Sequence, residues 1–156
     1  MPQATEQTIV RVSAKDFYSV VADYDHYPEF VEGMTECVVL ERGKKGSRVK
    51  FVLDLIKRVE YTIQTVEKPG KSLEWSLIES NLLHKNNGAW HLKSVGDGET
   101  EVTYSLEVGF GLFVPGFIVD RLTKHMLPKM LDSFVDRAEA LFPTDGKARK
   151  KPRAKA

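Results

Sequence analysis

Apolar and polar residues alternate along most of the middle of the chain. Between residues 47 and 57, Val49, Phe51 and Leu53 point to one side, and polar residues such as Arg48 lie between them. A period of two is typical of a β-strand with one buried face. The same alternation returns repeatedly between turn-forming residues, which predicts an antiparallel meander. The predicted strands are residues 8–12, 35–42, 47–57, 59–64, 73–77, 88–93 and 102–108.

A short amphipathic helix is predicted directly after the first strand. Ser13 is a favourable N-cap residue, and the acidic Asp16 follows three residues later, where it complements the helix dipole. Phe17 and Val21 are one turn apart and lie on its apolar face. Pro28 ends this pattern, because proline disfavours helix at the residue before it.

The C-terminal part of the chain predicts a long helix over residues 115–142. Apolar residues recur there at helical spacing, and charged residues occupy much of the remaining surface. Pro128 lies inside the pattern and should kink or split the helix, because proline lacks a backbone N–H. Met126 and Met130 are one turn apart beside it; their flexible thioethers suit either a core or a ligand-binding wall.

These elements together predict an α+β fold. A sheet with one apolar face must bury that face, and the last helix is the only large apolar partner in the sequence. We therefore expect a curved antiparallel meander sheet wrapped around a long C-terminal helix, in one domain of residues 1–142. A curved sheet that holds a single helix leaves room for a cavity.

Three short motifs stand out along the chain. They are Asp23 followed by Tyr27-Pro28-x-Phe30, then Gly88-x-Trp90, and finally Phe134-x-x-Arg137-Ala138. These motifs resemble those of the START-like, helix-grip superfamily, which includes polyketide cyclases. The nearest resemblance is to the branch of coenzyme Q-binding START-domain proteins and ribosome-association toxins.

The resemblance implies a helix-grip fold with a pocket between the sheet and the long helix. It further implies an apolar ligand such as a lipid, an isoprenoid or a quinone, with the protein acting as a carrier or chaperone. A ribosome-associated regulator of translation and a polyketide cyclase/dehydratase-like enzyme are the alternatives. No cofactor is expected.

Four aromatic residues fall on the apolar faces of four different predicted strands, namely Tyr61, Trp75, Trp90 and Tyr104. They predict either the lining of a cavity, with polar groups for a ligand, or a solid core. Taken as a set they favour the cavity. The predicted ligand-binding residues are Tyr27, Phe30, Phe51, Leu53, Tyr61, Trp75, Leu77, Trp90, Tyr104, Leu106, Phe113, Met126, Met130 and Phe134.

The loop at residues 109–117 combines three phenylalanines with three glycines. Loops usually face water, so this apolar composition is unusual. Two interpretations remain open: a gate over the pocket that touches a membrane through residues such as Phe113, or a cap folded onto the core.

Catalytic and metal-binding signals are weak. The four histidines lack metal-ligand spacing, and no nucleophile or phosphate-binding motif occurs. An enzyme would need an acid or base inside the cavity, for which the sequence offers Tyr61, Tyr104, Glu79 and His125. We therefore predict a binding protein with no metal and no catalytic residue.

The charge of the chain is unevenly distributed. Net charge is +1, yet residues 143–156 hold six basic residues against one acidic residue, so they carry +5 and the remainder carries −4. We expect this basic tail to be disordered. It would contact an anionic membrane surface, contact RNA such as that of the ribosome, or have no partner. No DNA partner is expected.

The single cysteine and the absence of a long apolar segment bear on location. Cys37 lies among apolar residues and is predicted to be a buried small residue. No apolar run is long enough to span a membrane, and residues 1–6 do not resemble a signal peptide. We expect a cytoplasmic protein, with peripheral contact to the inner face of a membrane left open.

Overall fold

The computed structural model describes residues 3–54, 58–110, 114–121, 124 and 127–142. A seven-stranded antiparallel sheet and a set of helices make up this part of the chain. The strands are β1 (Gln3–Val10), β2 (Met34–Arg42), β3 (Ser47–Asp54), β4 (Arg58–Lys68), β5 (Ser72–Ser80), β6 (Leu83–Gly96) and β7 (Glu99–Phe110). The helices are α1 (Ala14–Val21), a 3₁₀ helix (Tyr24–Glu29), α2 (Gly116–Arg121) and α3 (Leu127–Leu141).

The sheet confirms the predicted meander. Its order is β1-β7-β6-β5-β4-β3-β2, so every strand from β2 to β6 pairs with the next one along the chain. β1 closes the other edge against β7, from Gln3 opposite Glu107 to Val10 opposite Thr100. The apolar pattern predicts this first strand at residues 8–12, because residues 3–7 are mostly polar and show no apolar alternation. Backbone pairing with β7, rather than burial, defines that part of β1.

The pairing of β5 with β6 is short. It runs from Ser72 opposite His91 to Trp75 opposite Gly88, although both strands continue beyond this point. The second half of β5 therefore diverges from the first part of β6. The sheet curves towards its apolar face, which is covered by the helices.

Helix α1 begins as predicted. The Ser13 hydroxyl accepts a hydrogen bond from the backbone N–H of Asp16 at 3.2 Å, and Phe17 and Val21 are fully buried. The helix ends at Val21, and Pro28 lies inside the separate 3₁₀ helix. A 3₁₀ helix tolerates proline there because the backbone angle of proline suits a short helical turn.

The predicted C-terminal helix is present as α2 and α3. Pro128 falls in the first turn of α3, where a missing backbone N–H costs no helical hydrogen bond. Phe134, Val135 and Ala138 of α3 are buried against the core. No helix in the described part of the chain is both long and apolar enough to cross a membrane.

Cys37 is half-buried on β2, rather than fully buried as predicted. Its side chain packs against the edge of the core. Burial, and to a lesser extent the nearby Asp25, raises the pKa of the thiol to about 12. The thiol is therefore protonated near neutral pH, which makes it a poor nucleophile.

Candidate functional site

A cavity lies between the apolar face of the sheet and helix α3. The cavity has a volume of about 140 Å³. This is roughly ten times the volume that a single buried water molecule requires. Apolar and aromatic side chains form most of the wall. The lining residues are Tyr24, Tyr27, Val31, Glu32, Met34, Phe51, Leu53, Val59, Tyr61, Ile63, Leu73, Trp75, Leu83, Asn86, Trp90, Tyr104, Leu106, Val108, Phe110, Lys129, Met130, Ser133 and Phe134.

Ten of the fourteen predicted binding residues line this cavity. Several of them form a continuous aromatic wall. The ring of Tyr27 stacks on Phe51 at 5.6 Å and meets Phe134 at 4.9 Å, and Trp90 lies 4.8 Å from Phe134 and 4.5 Å from Tyr104, centre to centre. The ten are Tyr27, Phe51, Leu53, Tyr61, Trp75, Trp90, Tyr104, Leu106, Met130 and Phe134.

Two predicted residues lie outside the lining. Phe30 packs edge-on against Phe134 at 5.0 Å, and the Arg137 guanidinium sits 5.1 Å above the Phe30 ring. Arg137 also pairs with Glu29 at 2.8 Å, so this cluster joins the 3₁₀ helix to α3 instead of facing the cavity. Leu77 packs against the core from the half of β5 that is not paired with β6.

The other two predicted residues, Phe113 and Met126, lie outside the described residues. The same holds for residues 111–113 of the phenylalanine- and glycine-rich loop, for His125 and for the basic tail at residues 143–156. The structure therefore leaves the gate, the cap and the tail as predictions.

The position of Trp75 depends on a glycine in the neighbouring strand. A Cβ atom on Gly88 would lie 2.3 Å from the Trp75 ring and 2.5 Å from the Ser105 carbonyl oxygen. The indole therefore lies directly over the Gly88 backbone. From there its N–H donates a hydrogen bond to the Asn86 side-chain oxygen at 2.9 Å. The glycine of the Gly-x-Trp motif is therefore required at this position because any side chain would collide with Trp75.

Four tyrosines line the cavity, and their hydroxyls fall into two classes. Tyr24 donates to the Glu67 carboxylate at 2.6 Å, and Tyr27 donates to the backbone carbonyl of Val21. Within the described residues, the hydroxyls of Tyr61 and Tyr104 have no hydrogen-bond partner. Each of these oxygens keeps some accessible surface on the cavity side. The two therefore offer free hydrogen-bonding capacity to the cavity.

Burial raises the pKa of both free phenols. It is the only cause for Tyr104 and the main cause for Tyr61, where the nearby Tyr104 adds to the effect. Both groups are protonated at neutral pH, so each can donate a hydrogen bond but cannot act as a base.

Sequence reasoning missed the polar part of the lining. Asn86 is buried, and its oxygen is held by Trp75. Glu32, Lys129 and Ser133 lie nearer the exposed rim. No local pattern marks these residues as inward-facing, because polar side chains are normally expected on the solvent side and packing brings these to the cavity. Alternation did mark the apolar faces that contain Val59, Ile63, Leu73 and Val108.

Apart from His125, which lies outside the described residues, the remaining acid–base candidates from the sequence do not line the cavity. Glu79, considered a possible inward acid, is exposed, so that expectation was wrong. His84 and His91 are exposed as well. His26 is exposed beside Asp23, with 2.8 Å between the ring nitrogen and the carboxylate, and this hydrogen bond raises the pKa of His26. Among the described residues, no three His, Cys, Asp or Glu side chains are grouped to hold a metal ion.

Two related proteins are named as toxins. The chain is 23% identical over 145 residues to the ribosome association toxin RatA of Vibrio cholerae, covering 91% of this chain and 99% of the relative. It is 24% identical to the persistence and stress-resistance toxin PasT of Escherichia coli, covering 91% and 90% of the two chains.

Solved structures share the fold at low identity. A START superfamily protein from Mycobacterium smegmatis matches with a TM-score of 0.77 and 19% identity, covering 89% of this chain and 98% of that one. The Zhui aromatase/cyclase from a Streptomyces species matches with a TM-score of 0.66 and 16% identity, covering 88% and 86%.

A family model decides the classification. The model described as polyketide cyclase / dehydrase and lipid transport matches residues 10–135, which run from the last residue of β1 into α3 and include all the lining residues of the cavity. The fold, the cavity between sheet and helix and this match agree with one another. The chain therefore belongs to the polyketide cyclase / dehydrase and lipid transport family.

Proposed function

We propose that this protein binds a hydrophobic small molecule in the cavity between the sheet and α3, as a carrier or chaperone. The main support for this proposal is the cavity itself, whose wall is mainly aromatic and aliphatic with a few polar groups. Binding would be driven by burial of apolar surface, and the polar groups would set the orientation of the ligand. A lipid, an isoprenoid or a quinone meets these requirements.

We propose binding rather than turnover. The two free phenols are protonated at neutral pH and cannot accept a proton. Glu32 and Lys129 are exposed at the rim, where solvent weakens their action on a buried substrate. An enzymatic role is the alternative, because the family also includes cyclases. Turnover of a polyketide substrate by the purified protein would support that alternative.

The binding proposal is tested by filling the cavity. Leu106→Trp places a large side chain in the wall and should abolish uptake of a fluorescent apolar probe such as N-phenylnaphthylamine. Val66→Trp adds the same side chain at a position that is 45% exposed on the sheet and should leave uptake unchanged. Circular dichroism checks that both variants fold. Normal uptake by a folded Leu106→Trp protein would contradict the proposal.

The natural ligand is best sought in protein purified from its own host. Native mass spectrometry followed by lipid extraction should find a quinone, an isoprenoid or another lipid in stoichiometric amount. A protein that is empty in its host and takes up no apolar probe would remove the support for a carrier.

Ribosome association is the second candidate, favoured by the names of the curated relatives. The described surface offers a feature that suits a polyanion. Four lysines at two turns are exposed and form no ion pair with any described residue. Lys44 and Lys45 lie between β2 and β3, and Lys68 and Lys71 lie where β4 turns into β5. The two turns are held together by a hydrogen bond from the Glu67 N–H to the Lys45 carbonyl at 2.7 Å.

Co-sedimentation with purified ribosomes at low and high salt tests this second candidate. A contact with phosphates should weaken steeply as salt rises. Lys45→Gln combined with Lys68→Gln should reduce it, whereas Lys15→Gln combined with Lys124→Gln removes equal charge elsewhere and should not. A chain ending at residue 142 measures the share of the basic tail. Sedimentation that is absent at low salt would exclude the candidate.

A further inference from the structure

Three hydrogen-bonding groups of the inner cavity wall have no partner among the described residues. The hydroxyls of Tyr61 and Tyr104 are protonated and have no partner among the described residues. The side-chain amide of Asn86 must point its oxygen to Trp75, since an indole N–H can only donate. The Asn86 NH₂ group is then left as a third donor, without a described partner.

Few other polar groups of the inner wall are open to pair with them. Tyr24 and Tyr27, the other two tyrosines of the wall, already donate their hydroxyl hydrogens to Glu67 and to the Val21 carbonyl. The rest of the inner wall is apolar. A ligand that brings only hydrocarbon to this wall would leave the donors unpaired in a dry environment, which is unfavourable.

The Tyr61 and Tyr104 side chains line the same cavity from different strands. They belong to β4 and β7, and both are part of its aromatic wall. The Tyr61 ring lies 5.2 Å from Phe51, and the Tyr104 ring lies 4.5 Å from Trp90 and 6.1 Å from Trp75. An acceptor at the two hydroxyls would therefore be flanked by flat aromatic surfaces.

We propose that the cavity selects apolar ligands that carry a neutral carbonyl group, and that the hydroxyls of Tyr61 and Tyr104 donate hydrogen bonds to it. This inference rests on the proposed binding function and names the ligand class. A neutral carbonyl fits better than a carboxylate, because the only cation of the described lining, Lys129, is exposed at the rim. The aromatic or aliphatic remainder of the ligand would lie against the tryptophan and phenylalanine rings.

A matched pair of probes tests the proposal. Acetylnaphthalene and isopropylnaphthalene have the same number of heavy atoms and differ by a carbonyl oxygen in place of a methyl group. The native protein should bind the ketone more tightly. Tyr61→Phe and Tyr104→Phe should each weaken ketone binding by about three- to tenfold, the usual value of one hydrogen bond, and leave hydrocarbon binding within about twofold.

Tyr18→Phe is the control variant. Tyr18 is a buried tyrosine of α1 that does not line the cavity, so the same atom is removed elsewhere and both affinities should stay unchanged. An infrared spectrum adds an independent signal: the carbonyl stretch of bound acetylnaphthalene should lie at lower frequency than in hydrocarbon solvent. This shift should disappear when both phenols are replaced.

The outcomes separate the two proposals. Equal affinity for both probes, unchanged in the phenylalanine variants, would overturn carbonyl selection and leave apolar binding intact. Loss of affinity for both probes in either variant would show a structural role for that tyrosine and would also overturn the selection. If the native protein binds neither probe nor N-phenylnaphthylamine, the binding function itself fails, and the selection fails with it.

Discussion

Gly88 shows how the absence of a side chain shapes the cavity wall. The Trp75 indole occupies the space where a Cβ would stand, and this allows its N–H to reach Asn86 at 2.9 Å. The glycine therefore acts through close packing and not through an unusual backbone angle, since Gly88 is not among the glycines with positive φ.

Gly88→Ala is predicted to destabilise the protein by about 1–3 kcal/mol, because the new methyl group must displace either Trp75 or the Ser105 backbone. Urea unfolding measures this effect, and a change in tryptophan fluorescence should accompany it. Gly116→Ala is the matched control. No atom lies within 4 Å of its added Cβ, so its free energy of unfolding should change by less than about 0.5 kcal/mol. Equal effects of the two substitutions would contradict the packing argument.

At the level of elements, a small polar network holds the 3₁₀ helix to the sheet. Thr65 at the end of β4 accepts a hydrogen bond from the Ser47 N–H at 2.8 Å, and the Ser47 hydroxyl donates to Glu67 at 3.0 Å. The hydroxyl of Tyr24 in the 3₁₀ helix donates a hydrogen bond to the same carboxylate at 2.6 Å. The network links β3, β4 and the 3₁₀ helix at a point where apolar packing alone would not define their spacing.

Thr65→Val keeps the shape of the side chain but removes the acceptor for the buried Ser47 N–H. We expect a loss of about 1–3 kcal/mol in the free energy of unfolding, the usual cost of one unpaired buried polar group. Thr103→Val is the control, because its hydroxyl receives only an exposed hydrogen bond from Gln7. Chemical denaturation of both variants measures the difference, and a neutral Thr65→Val would show that the network contributes little.

For the whole molecule, buried protonated groups make stability depend on alkaline pH. The pKa of Cys37 rises from 9.0 to about 12, and that of Tyr18 rises from 10.0 to about 12, in both cases mainly through burial. The unfolded chain loses these protons at lower pH than the folded chain does. The stabilisation is therefore complete below pH 9.0 and is lost as the pH rises towards about 12.

We predict that the free energy of unfolding falls above pH 9, with Cys37 contributing up to about 1.4 kcal/mol per pH unit. Denaturant titrations between neutral pH and pH 11 measure the slope. Cys37→Ala should make the slope shallower above pH 9 while the tyrosine contribution remains. A stability that stays constant over this range would contradict the raised pKa values of Cys37 and Tyr18.

The sequence predicted well which side of the sheet a residue lies on, but it predicted less well which residues line the cavity. Alternation placed Tyr61, Trp90 and Tyr104 on the inner side of the sheet, and they lie there. It also assigned Leu77 to the cavity, but β5 separates from β6 after Trp75 and carries Leu77 away from it. Phe30 was assigned from its motif, whereas Arg137 and Phe134 hold its ring outside the cavity.

Side-chain periodicity is a local property of the backbone, so the sequence by itself determined the strands, the start of α1, the meander and the apolar face that the last helix must cover. Tertiary structure alone decided that this face encloses a cavity rather than a solid core. It also decided that β1 pairs with β7 and that only two of the four tyrosine hydroxyls in the wall lack a partner among the described residues. These features depend on distances between residues far apart in the chain, such as Tyr24 and Glu67, and no local pattern records them.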